Sequence, residues 1–192
     1  MWSFFRIVVP AFVEKRWLFV VLNWLFFGII FVGVLLGEAG LFGFPLVPFT
    51  DNFFAIGEGG WVFTLSYVFI FNLVVSGFVL VTLSGILFFG LPVGFLLFRG
   101  FLWGVLLAGL PTPLFLVALP IVVLEGEGYV LACVAGVNLG LSWLSPRRAY
   151  GEGLSREESF KRALKDCVRI YVLVVVFLFV AAVVETLTVS FF

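Results

Sequence analysis

Polar or charged residues interrupt long apolar runs of this 192-residue chain, among them Asn72, Arg99, Glu125, Glu127, Asn138 and Glu185. A charge at the centre of a bilayer costs at least about 2.5–3.5 kcal/mol on insertion scales, so it faces protein or water and takes a partner. Arg99 has two candidate partners in Glu125 and Glu127. Together with Asn72 they define a candidate intramembrane polar site, on a path for an ion or solute. In the alternative reading Arg99 snorkels to the inner face and both glutamates sit in an outer loop. Glu185, close to the end of the last apolar run, is expected at the outer surface.

The residue inventory excludes most catalysis. The chain has no His, so no Ser-His or Cys-His dyad and no His-Glu-x-x-His zinc site can be built. The only two aspartates, Asp51 and Asp166, fall in loops, so no intramembrane aspartyl pair exists. No Lys stands at membrane depth to activate a serine, and no Gly-x-x-x-x-Gly-Lys loop is present. An enzyme is the least favoured class, and neither a cofactor nor a metal is expected.

The elements that carry these residues follow from composition. The chain is 64% hydrophobic and 11% charged, against roughly 25% charged residues in soluble domains. Lipid is therefore its main solvent. The expected fold is all-α and polytopic, a single membrane domain over residues 1–192. Its spans are placed at 17–36, 61–83, 91–110, 113–144 and 170–192. Residues 1–16, rich in aromatics, suit the interface. The loop 37–60 holds Glu38, Asp51 and Glu58 without any Lys or Arg. Gly and Pro punctuate 84–128 so densely that broken or re-entrant helices are expected there, with 113–144 kinked. Four Gly-x-x-x-Gly pairs, at 33/37, 90/94, 100/104 and 136/140, allow close helix approach. Packing within the chain is their expected use, and a homo-oligomer is also compatible with them.

Residues 145–169 form the one polar stretch of length. Ser155 and Glu158 make a capping box. Phe160, Ala163, Leu164, Cys167 and Val168 then share a helical face, and Glu157–Lys161 and Glu158–Arg162 are spaced as i,i+4 pairs. An amphipathic helix over 155–168 on the membrane surface is expected, able to dock a protein partner. Five spans with the N-terminus in the cytoplasm place ten of the eleven basic residues on that side, leaving Arg99 apart, so the C-terminus is expected outside. Cys133 and Cys167 lie in different environments, and no disulfide is expected. Membrane lipids are the certain partners, and nothing points to nucleic acid. Poverty in His, Gln, Met and Cys points to a heat-loving source.

The stretch of about 67–144 resembles the stage II sporulation protein M family of polytopic membrane proteins. Asn72 matches the first Asn of that family's second span, and Gly100 the Gly of an Asn-Gly pair. Leu119, Pro120 and Glu125 match a Leu-Pro-His-Gly-x-x-Glu-like motif, and Ala132, Gly136 and Gly140 the small-residue helix after it. Leu73 stands where the family has a second Asn, Arg99 where it has the Asn before Gly100, and Ile121-Val122 where it has His-Gly. The resemblance implies a non-hydrolytic membrane protein. The sporulation member works within a complex of membrane-anchored cell-wall enzymes, so a scaffold that recruits partners stands beside the channel or transporter reading.

Overall fold

The computed structural model describes residues 13–42, 60–151 and 153–191. The acidic loop expected over 37–60 and the interfacial stretch of 1–16 lie largely outside these. Among the described residues no strand occurs, and five helices are long and apolar enough to cross a membrane. They are α1 (Arg16–Glu38), α2 (Trp61–Leu87), α3 (Leu91–Ala108), α4 (Thr112–Leu144) and α6 (Arg156–Phe191), with the short α5 (Pro146–Tyr150) before the last. A backbone in lipid must satisfy its own hydrogen bonds, and helices do so within one segment. The outer surface is correspondingly apolar, with Trp24, Phe31, Val62 and Phe98 all exposed.

Local chemistry sets the boundaries. Phe88 leaves the helix in an extended conformation and ends α2. Pro92 then stands in the first turn of α3, where its missing N–H costs nothing. Gly109 caps α3, and Pro111 and Pro113 open α4. Gly151, with φ of 82°, stops α5. The irregularity expected across 84–128 is thus confined to two short breaks, 88–90 and 109–111. Residues 112–144 run as one helix of 33 residues through Pro120 and the Glu-Gly-Glu-Gly sequence. The surrounding helices hold it in place: residues 128–140 are buried without a gap. A helix buried on all sides is the centre of a bundle.

The glycines let the bundle close. A Cβ on Gly104 would meet the Ile30 carbonyl oxygen at 2.1 Å, and one on Gly33 the Phe101 carbonyl oxygen at 2.6 Å, so α1 and α3 cross backbone to backbone. Gly85 and Gly136 play the same part between α2 and α4, at 2.0 Å. Three of the four Gly-x-x-x-Gly pairs therefore pack within the chain, as expected. The fourth has open space beside Gly94.

Two features differ from the sequence reading. The stretch 155–168 is no separate surface helix but the first turns of α6, because no Gly or Pro occurs between Arg156 and Phe191 to break it. Its Ser159, Ala163, Asp166 and Cys167 are buried while Leu164 and Val168 face outward. The capping box does form: the Glu158 N–H donates to Ser155 Oγ at 3.2 Å and the Ser155 N–H to Glu158 Oε2 at 3.0 Å. Lys161 pairs with Glu157 at 2.6 Å, but Arg162 turns to Glu14 at 3.1 Å, since Glu158 is engaged in the cap. The second feature is the middle of α2, which is a π-helix over Phe71–Leu83.

Candidate intramembrane polar site

The π-helix decides which side chains reach the interior. Asn72, Ser76, Gly77, Val81 and Thr82 are its buried residues. Asn72 and Val81, nine positions apart, would lie half a turn out of phase on an α-helix of about 3.6 residues per turn. Bonding from i to i+5 widens each turn, so positions four or five apart align instead. The polar Asn72 and Ser76 thereby share a buried face with Thr82, which donates to the Ala132 carbonyl at 2.9 Å and lies 2.6 Å from the Tyr171 hydroxyl.

Arg99 is the ninth residue of the 18-residue α3, and its guanidinium turns inward. Nη1 donates to Ser76 Oγ at 3.3 Å and Nη2 to Asn72 Oδ1 at 3.4 Å. Nη2 stands 3.7 Å from Glu125 Oε2, with side-chain exposures of 26% for Arg99 and 6% for Glu125. The cation also lies 4.1 Å from the Tyr129 ring centroid and 4.9 Å from that of Trp103. Such contacts suit a planar, weakly hydrated guanidinium. Asn72 completes the ring by donating its amide to Glu125 Oε1. Each oxygen of Glu125 thus faces its own donor. Glu125 is here a buried residue of α4 paired with Arg99, not part of a loop.

Glu185 also belongs here. On α6 it is partly buried and within electrostatic reach of Glu125 and Arg99. The sequence reading set it at the outer surface because only its position along α6 was visible. Glu127, the second candidate partner of Arg99, is not in the cluster: two positions along a helix is more than half a turn, and it faces Asn23 of α1, half-buried. Asn138 lies elsewhere, donating to the Tyr150 hydroxyl at 2.8 Å, which in turn donates to Asp166 at 2.8 Å. Lys15 and Arg162 approach the Tyr150 ring at 4.4 and 4.5 Å. Lys15 also donates to the Ala149 carbonyl at 2.7 Å, and its burial there lowers its pKa.

The members that sequence reasoning missed are Ser76, Trp103, Tyr129 and Glu185. A signal for three of them exists. Ser76 follows Asn72, Trp103 follows Arg99 and Tyr129 follows Glu125, each four positions on, the spacing that stacks side chains along one helical face. Glu185 has no such companion.

Residues 17–189, most of the chain, match the family model described as Stage II sporulation protein M. That match extends well beyond the 67–144 stretch in which the motifs were legible. No curated protein and no solved structure matches the chain.

Proposed function

The chain belongs to the stage II sporulation protein M family, and from that premise we propose that it is a channel or transporter-like membrane protein, not an enzyme, whose site is the Arg99–Glu125 cluster. The carrying observation is the ion pair itself: a cation at the middle of α3 meets a buried carboxylate of the central helix. A buried ion pair is weak as a stabilising device, since apolar packing of similar volume serves as well or better. Its presence at membrane depth is better explained by a polar path. The π-helical wall supports the same reading, because π-turns concentrate at functional positions. The Nε of Arg99 is buried without a hydrogen bond, which leaves the site a spare donor.

The N-terminus lies in the cytoplasm and the C-terminus outside in this proposal, on the strength of the basic residues at one end of the bundle. The test is flux through the purified protein in liposomes, with wild type compared to Arg99→Leu and Glu125→Leu. Equal, background-level flux in all three defeats the proposal.

A second reading, a membrane scaffold, has its own observation. Arg147, Arg148, Lys161, Arg162 and Lys165 are exposed at the same end as the outward-facing Leu164 and Val168. Such a surface suits a protein partner at 145–169, in keeping with the complex in which the family's sporulation member works. Pull-down by the full chain that is lost on reversing Arg147 and Arg148 would favour it.

A further inference from the structure

The basic end of the bundle has cations to spare. Every acid described there is engaged inside the protein. Glu14 holds Arg162 at 3.1 Å, Glu157 holds Lys161 at 2.6 Å and Asp166 holds Arg169 at 3.2 Å. Glu158 is taken up by the Ser155 cap. Arg147, Arg148, Arg156 and Lys165 are exposed and pair with no acid among the described residues. We propose that this rim is a binding surface for anionic phospholipid. Arg147, Arg148 and Lys165 meet the headgroup phosphate, and the outward apolar residues beside them meet the acyl chains. The surface works in the same way whether or not the chain transports anything.

What each cation stands next to identifies the occupant. On α6, Lys161, Leu164, Lys165 and Val168 recur at the three- and four-residue spacing of one helical face, and all four are exposed. That face runs on through Val175, Val176 and Phe179, exposed residues of the same membrane-crossing helix. The lysines therefore stand at the end of a lipid-facing stripe. A long side chain there lays its stem on apolar surface and its ammonium among the headgroups. α4 repeats the arrangement: the exposed Trp143 and Leu144 precede Arg147 and Arg148 by four positions each. An indole at this level suits the boundary between acyl chain and headgroup. The Trp143 ring meets Phe160 of α6 at 6.0 Å, so the two stripes adjoin. α5 is fixed between them, since Tyr150 bridges Asn138 and Asp166 and Lys15 holds the Ala149 carbonyl. Arg147 and Arg148 are thus presented from a rigid platform, which lowers the ordering cost of binding. Attraction between basic side chains and anionic headgroups fades within a Debye length, about 8 Å at physiological salt, so cations on the rim itself count most. A soluble protein would have to cover apolar residues that continue into the span, where lipid already lies. Free phosphate would meet the cations but gain nothing from Trp143, Leu144, Leu164 and Val168.

The test is electron paramagnetic resonance of spin-labelled lipids around the full chain in phosphatidylcholine vesicles. Labelled phosphatidylglycerol is expected to associate several-fold more strongly than labelled phosphatidylcholine, and added salt is expected to lower that preference. Neutralising the rim with Arg147→Gln, Arg148→Gln and Lys165→Gln together is expected to remove the preference. The share of immobilised phosphatidylcholine should stay the same, which reports an intact bundle. Arg147→Lys with Arg148→Lys is expected to keep the preference. Should the triple variant lose the bundle, Arg147→Gln and Arg148→Gln alone decide, each expected to lower the preference in part. No preference in the wild type, or a preference that survives neutralisation, overturns the proposal. Displacement of the labelled lipid by inorganic phosphate at matched ionic strength also overturns it, and makes the rim a free-anion site. A protein partner held through Arg147 and Arg148 by a chain without lipid preference overturns it in favour of the scaffold reading.

Discussion

Asn72 donates its side-chain amide to Glu125 while accepting from Arg99, and so ties α2 to α4 and α3 through one residue. A single neutral amide therefore orients both members of the ion pair. It can do so only because the π-helical winding of 71–83 keeps Asn72 on the inner face.

The ion pair should show strong coupling. Removing one partner of a buried pair typically costs about 3–5 kcal/mol, whereas replacing both with apolar residues can be neutral. Arg99 retains some exposure, so the lower end of that range is expected. A double-mutant cycle on thermal stability in detergent, with Arg99→Leu, Glu125→Leu and the pair, should be far from additive. The parallel cycle with Glu127→Leu should be additive, because Glu127 faces Asn23. Similar coupling in both cycles would contradict the geometry.

The close crossing of α1 and α3 predicts a sharp contrast between two glycines of one helix. Gly104→Ala would drive its methyl into the Ile30 carbonyl, and overpacking of this kind costs about 1–3 kcal/mol. Gly94→Ala has open space and should change stability little. Equal melting temperatures for the two variants would show that α1 and α3 are not packed this closely.

The basic end of the bundle should be cytoplasmic. Single cysteines placed in 145–151 and in 37–60, in a background lacking Cys133 and Cys167, should react with an impermeant reagent from opposite sides of the membrane. Both native cysteines are buried, so small replacements suffice. Labelling from one side only would sink the five-span topology.

Ser155→Ala should loosen only the start of α6. Loss of an N-cap costs about 0.5–2 kcal/mol, and the capping pair here is exposed. Faster amide hydrogen exchange is expected over the first turns from Arg156, with the span beyond Ile170 unchanged. Identical exchange in both proteins would mean that the cap does not hold the helix end.

Tyr150→Phe should detach the hub at the basic end. The change keeps the ring between Lys15 and Arg162 but removes the hydroxyl shared by Asn138 and Asp166, both buried. Leaving such groups unsatisfied costs about 1–3 kcal/mol. A melting temperature equal to wild type would show that water replaces the hydroxyl.

The five spans were legible because long apolar runs have one stable form in lipid. Asn72, Arg99 and Glu125 were legible for the related reason that charge and amide groups stand out against such runs. What stayed hidden was phase. Periodicity arguments assume about 3.6 residues per turn, and the π-helix breaks that assumption between Phe71 and Leu83. The choice between Glu125 and Glu127 is likewise a question of helix rotation, which two acids flanking one glycine do not reveal. Glu185 joined the site through the packing of α4 on α6, and no local pattern in α6 records it.

The shortness of α3 carries a consequence for the surrounding lipid. Its 18 residues span only about 27 Å at about 1.5 Å per residue, less than a hydrocarbon core of about 30 Å. α2 takes 27 residues to make its crossing, partly because wide π-turns rise less per residue. Where α3 meets lipid, the bilayer must thin to match it or leave its ends mismatched. Thinning brings the headgroups closer to Arg99. Acyl-chain length thus becomes a control on how deeply the charge is submerged, and the membrane's own thickness becomes part of the site.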